Sequence, residues 1–323
     1  MLIKAAVLRG IKDITCQKLH APKAQADEEM IRVASAGICG SDVDRVFGKG
    51  AYHYPIILGH EFSGYRMRDN KKVVVFPLIP CMKCSMCMIG EYASCLDYNY
   101  YGSRTDGGFR EQIAVKKWNI IEAPDESDTE ALAMAEPAAV ALHAIDMLGI
   151  KVGQSILITG AGPIGMMLGQ WAKISGAHKI YFSDIDNRKL DFANEYGFLA
   201  YNGEAVDAAV EGVGVSSSLV LCLEALKPKG GLVLMGNPIG EINLSQNEYW
   251  HILRKQLTLR GTWNSTYNKF RNEWQVAVDA IASGVLDVKP LITHRFGLED
   301  CERAFKVMYD RTEFVNRVMF SIG

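Results

Sequence analysis

SILITGAGPIGMMLGQWAKISG, from Ser155 to Gly176, is the stretch on which the fold turns. A short β-type run, SILIT, leads into Gly160, Gly162 and Gly165, and a helical pattern follows. A lone G-x-G-x-x-G says little, because glycine serves any tight turn. A strand before it and a helix after it supply the context the motif needs. Gly160 permits the sharp turn, Gly162 lets the backbone approach a pyrophosphate, and Gly165 allows the helix to pack closely on the strand. Pro163 and Ile164 then open the helix, whose first N–H groups are unpaired and suit phosphate. The next strand-like run, KIYFS, leads to Asp184, nineteen residues beyond Gly165. An acidic residue there accepts hydrogen bonds from an adenosine ribose and repels the extra phosphate of NADP, so NAD is the expected coenzyme. Arg188 complicates that choice, with solvation of a helix face as its other reading.

Outward from this stretch the alternation continues. KIYFSD precedes NRKLDFANEYG, and AAVEG precedes the helix-like SSSLVLCLEALK; the strand-like GGLVLMG and QLTLRG come next. Strand and helix alternating at this spacing predict a parallel, doubly wound α/β sheet over residues 149–263. Residues 1–148 differ in texture, being broken by Gly, Pro and Cys, with short β-like runs such as VVVFPLI (Val73 to Ile79). Residues 264–323 offer two helical stretches and a closing strand, FVNRVMFSI, too little to found a domain. They are expected to return to the first domain, so that the α/β unit is an insertion.

A chain of 323 residues, nearly half of them apolar, suits two domains with real cores. The formal charge of −2 argues against a nucleic-acid surface. No apolar run is long enough to span a membrane. The N-terminal MLIKAAVLRGIKDITCQ turns polar too soon for a signal peptide, so a cytoplasmic location is expected.

Four of the 8 cysteines, Cys81, Cys84, Cys87 and Cys95, fall in CMKCSMCMIGEYASC. Disulfides between cysteines three apart would close strained loops, and the expected compartment disfavours them. The spacing C-x2-C-x2-C-x7-C suits a closed, tetrahedral structural zinc site over residues 81–95, with an iron–sulfur cluster as the rival. Cys16, Cys222 and Cys301 stand in apolar surroundings and read as core. A second donor set is scattered: Cys39 in GICGSD, His60 and Glu61 in PIILGHEFSG, and Glu136 in AEPAAVALHA. Three protein ligands would leave zinc an open position, as catalysis requires. On spacing alone, a Cys and a His so far apart are more often core residues.

Together these motifs carry a resemblance. CGSD at Cys39–Asp42, GHE at Gly59–Glu61, the four-cysteine lobe, EP at Glu136, GAGPIG and PLITHRFGLEDCERAF resemble, in order, the zinc-dependent medium-chain dehydrogenases. ASAGICGSDVDRVFGKGAYHYPIILGHEFSGY, GSRTDGGF and LRKQLTLRGTWNS are similar to their polyol branch. The resemblance implies a Rossmann sheet inserted into a β-rich, GroES-like catalytic domain. It also implies two zinc ions per chain, the catalytic one held by Cys39, His60 and a carboxylate. That carboxylate is Glu61 or Glu136, with Glu136 favoured in the resting enzyme. The implied reaction oxidises a secondary hydroxyl of a polyol or polyol phosphate, with hydride passing to NAD. Ser41 stands where relatives relay the proton. Asp44 replaces the relay histidine of some of them, which leaves an exit past Glu61 open. A phosphorylated substrate needs cations, for which Lys49, Arg104 and Arg295 are candidates, and Trp263 and Asn264 could line the pocket. Relatives pair through sheet edges, implying a homodimer or homotetramer. Compared with them the chain is short after HEFSGY and again between YNGEA and VDAAVEG. The alternatives are a sorbitol-, butanediol- or threonine-type dehydrogenase, or a non-catalytic NAD-binding sensor.

Overall fold

The computed structural model describes residues 1–323. It divides into two compact units, Ala138–Ser265 and a discontinuous one of Met1–Pro137 with Thr266–Gly323. The first border lies earlier than the change of texture at Gly149 suggests. Helix Ala135–Leu148 straddles it, and the Trp171 indole donates to the Ala138 carbonyl at 3.0 Å, tying most of that helix to the inserted unit. No helix is long and apolar enough to cross a membrane.

The inserted unit is the doubly wound sheet expected from the alternation. Its six parallel strands run in the spatial order Leu199–Ala200, Lys179–Ser183, Ser155–Thr159, Val206–Glu211, Leu226–Leu234, Thr258–Gly261. The chain starts in the middle, builds to one side, then reverses between Ser155–Thr159 and Val206–Glu211. That reversal is the switch point at which such sheets bind ligands. Ser155–Thr159 is buried along its length, as a strand covered on both faces must be. Leu157, Tyr181, Ala209, Leu223 and Leu232 pack one side of the sheet. Gly165 packs so closely against the glycine turn that a Cβ there would sit 1.9 Å from the Gly160 carbonyl oxygen. The shortened stretch is a helix-free link, residues 201–205, braced on Lys179–Ser183 by a Lys179–Glu204 ion pair at 2.9 Å.

In the discontinuous unit one long strand, Glu28–Ile38, is the spine. It pairs with Glu61–Arg66, with Gln112–Lys116 and with the C-terminal strand Arg317–Ser321, all antiparallel. Through that pairing the closing segment returns to the first part of the chain, and on its other side Arg317–Ser321 runs parallel to Ile292–Phe296, the edge strand of a seven-stranded sheet. A smaller sheet holds Asp13–His20, Leu2–Gly10 and Ile56–Ile57, and a ribbon pairs Leu78–Ile79 with Asn99–Tyr100. Phe62, Phe109, Phe305 and Phe320 fill the core, Phe109 and Phe320 meeting edge to face at 4.9 Å.

The other shortened stretch is a tight hairpin joining Glu61–Arg66 to Lys72–Val75, closed by Arg66 N–H donating to the Lys71 carbonyl at 2.9 Å. The Arg66 guanidinium bonds Asp69 at 2.6 Å and Glu122 at 2.7 Å. Its hydrogen bond holds the Asp69 carboxyl down at about 2, against an ordinary 3.8. A depressed carboxyl contributes stability above its unfolded value and loses it as pH falls toward the folded one. Asp69→Asn should therefore lower the melting temperature at neutral pH, the difference narrowing below about pH 4. A difference independent of pH would show that the ion pair does not hold the turn.

Candidate active site

Cys39 precedes helix Gly40–Phe47 as its N-cap, and the buried carboxylate of Asp42 accepts the Cys39 N–H at 3.1 Å. The other Asp42 oxygen lies 3.5 Å from His60 Nδ1. The chain reaches His60 through Gly59, at φ +94°, where a Cβ would lie 2.4 Å from the Phe109 ring. Glu61 then begins its strand opposite Gly37. These two turns bring Cys39 Sγ, a His60 ring nitrogen and a Glu61 oxygen within 4.8 Å of one another. Burial opposes a charged His60 ring, but the charges of Asp42 and Cys39 outweigh it and raise its pKa well above the usual 6.5. With Nδ1 facing Asp42, Nε2 is the nitrogen left for a ligand.

Glu61 is fully buried, and Arg317 Nη1 donates to both its oxygens, at 3.0 and 2.7 Å, and to the Ile38 carbonyl at 2.8 Å. Glu136 stands apart from the group of three. It lies in the first turn of helix Ala135–Leu148, where Pro137 beside it is tolerated. Its Oε1 accepts the Tyr100 hydroxyl at 3.4 Å. Burial, with Glu61 adding to it, pushes the Glu136 carboxyl up. Burial and Glu136 likewise push the Tyr100 phenol up, which keeps it a donor. The group whose donor atoms lie within 4.8 Å of one another contains Glu61, and Glu136, favoured from the resemblance, is not part of that group.

In the cysteine lobe all four Sγ atoms lie within 4.8 Å of one another, Cys81–Cys87 at 4.0 Å and Cys84–Cys95 at 3.9 Å. Zn–S bonds of about 2.3 Å in a tetrahedron require an S···S edge of about 3.8 Å, so the cradle fits zinc. Backbone N–H groups of Leu96 and Cys87 lower the Cys84 thiol, favouring a thiolate.

In the inserted unit Gly160 takes φ +89°, and Gly162 caps helix Pro163–Ile174 with Pro163 at its first position and Ile164 next. Asp184 accepts the Ala161 N–H at 2.8 Å and the Asp186 N–H at 2.9 Å. Beside it Ile185 is fully exposed, an apolar face open to a planar ring.

The remaining candidates divide. Ser41 is exposed in the first turn after Cys39. Arg104 is stacked on the Tyr98 ring at 4.0 Å, with Tyr52 at 5.2 Å, and donates to the Tyr98 carbonyl at 2.9 Å. Lys49 is exposed, 4.0 Å from Asp44. Trp263 is largely exposed, and Asn264 takes a left-handed φ of 55°. Arg295 is already engaged: Glu130 accepts its Nε at 2.8 and 3.0 Å, and the Ile292 carbonyl takes Nη1. Three residues near the metal-competent group carried no assignment from sequence: Asp42, Tyr100 and Arg317. Asp42 was visible inside CGSD as a carboxylate able to reach back to an N-cap, and Arg317 as one charge in an otherwise apolar strand. Tyr100 had no such signal.

Comparison with known proteins follows the same lines. Residues 25–125 match the alcohol dehydrogenase GroES-like domain, and residues 163–283 the zinc-binding dehydrogenase domain. The chain is 34% identical to galactitol 1-phosphate 5-dehydrogenase of Escherichia coli strain K12 over 306 residues, covering 87% of this chain and 88% of that one. The crystal structure of galactitol-1-phosphate dehydrogenase from Escherichia coli superposes with a TM-score of 0.92 at 31% identity, over 98% of this chain and 99% of that one. A zinc-binding dehydrogenase from Sinorhizobium meliloti 1021, bound to NADP, superposes with a TM-score of 0.91 at 25% identity, over 99% of both chains.

Removing one partner of a buried ion pair strands the other charge. Arg317→Leu should cost about 3–5 kcal/mol in urea unfolding, and adding Glu61→Gln should recover much of it. A loss below about 1 kcal/mol in the single variant would mean that Glu61 does not depend on Arg317.

Proposed function

The chain belongs to the zinc-dependent medium-chain dehydrogenases, in their polyol branch, and acts on CH–OH groups; from that premise we propose that it oxidises a secondary hydroxyl of a galactitol-1-phosphate-like polyol phosphate to a ketone, with NAD as hydride acceptor. The observation that carries this reading is the convergence of Cys39, His60 and Glu61 within 4.8 Å. These three would hold the catalytic zinc, and the four cysteines a structural one. When bound, the catalytic ion supplies a Lewis acid for the substrate hydroxyl, and the coenzyme supplies the hydride acceptor.

The residues around them do the rest. Asp42 orients the His60 ring through Nδ1, and Arg317 holds both Glu61 oxygens. Ser41, exposed in the first turn after Cys39, would act as a relay, its Oγ taking the substrate hydroxyl proton as it passes its own to solvent. Tyr100 holds Glu136 beside the group. In the inserted unit the Gly160–Gly165 turn and the N-terminus of Pro163–Ile174 would take the pyrophosphate, and Asp184 the adenosine ribose.

Arg104 is the best-supported phosphate anchor. Tyr98 and Tyr52 hold its plane, and one of its five N–H donors is used by the Tyr98 carbonyl. A pre-oriented guanidinium suits a phosphate fork. The exposed edge strand Thr258–Gly261 supports a homodimer or homotetramer, since its outer N–H and C=O groups lack a neighbouring strand.

Steady-state turnover with NAD on paired free and phosphorylated polyols tests the proposal. Phosphorylated substrates should be preferred, and Arg104→Ala should raise KM about 10–100-fold for them while barely changing free polyols. An equal rise for both would remove Arg104 as the anchor, and turnover of free polyols alone would move the substrate to the sorbitol type.

A further inference from the structure

Next to the proposed ribose position lie three charges whose arrangement bears on coenzyme choice. Strand Lys179–Ser183 ends at Asp184, whose carboxylate is bonded to the amides of Ala161 in the glycine turn and of Asp186. Asp186 is the N-cap of helix Asn187–Glu195, accepting the Arg188 N–H at 3.0 Å. The same carboxylate takes the Arg188 side chain twice, Nε at 2.9 Å and Nη2 at 2.8 Å. The guanidinium is therefore folded back on the residue that starts its own helix. Each partner holds the other charged: Arg188 lowers the Asp186 carboxyl, with a smaller contribution from Lys189, and Asp186 raises Arg188.

An arginine close behind the strand-end carboxylate is the group that accommodates a 2′-phosphate in NADP-binding members of this fold class. Here the sequence provides that arginine and, two residues earlier, an acid that occupies it. Of these three side chains two are acidic, and the one basic group is taken up by Asp186. Resting on the reading of Asp184 as the ribose ligand, we propose that Asp186 is a coenzyme-selecting residue, whose carboxylate latches Arg188 away from a 2′-phosphate and so excludes NADP.

Asp186→Asn separates latch from cap. Asparagine caps a helix as well as aspartate does, so the helix start survives while the charge and the bidentate grip are lost. Dissociation constants for NAD, NADP and 2′,5′-ADP, measured by calorimetry on the metal-loaded enzyme, give the readout. In Asp186→Asn the affinity for NADP and 2′,5′-ADP should rise about tenfold, with NAD changed by less than about twofold. Arg188→Gln alone should give no gain, and the Asp186→Asn, Arg188→Gln double variant should return to the parent values. Asp186→Ser, another good cap, should behave like the asparagine variant and guards against a folding defect peculiar to one substitution. An unchanged NADP affinity in both Asp186 variants, with NAD still preferred by the parent enzyme, overturns the latch and leaves the Asp184 reading standing. A gain that persists in the double variant also overturns it, by assigning the effect to repulsion from Asp186 alone. A parent enzyme that binds NADP as tightly as NAD overturns both.

Discussion

A buried carboxylate next to a thiol and an imidazole is costly unless cations surround it, and that constraint organises the catalytic unit. Glu61 is out of contact with water, and two kinds of positive charge can make it tolerable. One is on the chain: Arg317, reaching from the C-terminal strand to both Glu61 oxygens. The other is the metal ion that Cys39, His60 and Glu61 are spaced to hold. Breaking up the chain so that residues from 39 to 317 share one pocket is what the long spine strand Glu28–Ile38 accomplishes. It pairs with the strand that begins at Glu61 on one side and with the strand that begins at Arg317 on the other.

Two further features serve the same pocket. The ribbon formed by Leu78–Ile79 and Asn99–Tyr100 flanks the four-cysteine lobe in sequence, and it delivers Tyr100 to Glu136 and the edge of His60, ring centres 5.9 Å apart. The lobe thus bears on the placement of a residue beside Cys39, His60 and Glu61. In the inserted unit the logic is backbone rather than charge. Close approach at Gly165 and the left-handed turn at Gly160 let the helix N-terminus stand over the strand ends, and Asp184 braces the same turn through Ala161 N–H.

How much of this could be read in the sequence follows from the range of the interactions. Features coded within a few residues were legible: the glycine turn between strand and helix, the cysteine cradle, and the alternation behind the parallel sheet. So was the return of the last strand, which is too short to found a domain alone. Features set by strand register were not. Arg295 and Arg317 look alike in sequence, yet adjacent parallel strands send one to Glu130 and the other to Glu61. Nor does sequence show that Glu136, at a helix start, meets Tyr100, 36 residues earlier in the chain. The border between units escaped detection for a related reason. A single helix runs across it, and the hydrogen bond from Trp171 that claims its body for the inserted unit spans more than thirty residues.

The central claim is that Cys39, His60 and Glu61 grip one ion. X-ray anomalous scattering at the zinc edge, from crystals of the metal-loaded protein, tests it most directly. The account predicts two peaks: one among Cys81, Cys84, Cys87 and Cys95, the other bonded to Cys39 Sγ, His60 Nε2 and a Glu61 oxygen. A single peak in the cysteine lobe, or a second peak whose carboxylate comes from Glu136 alone, would contradict it.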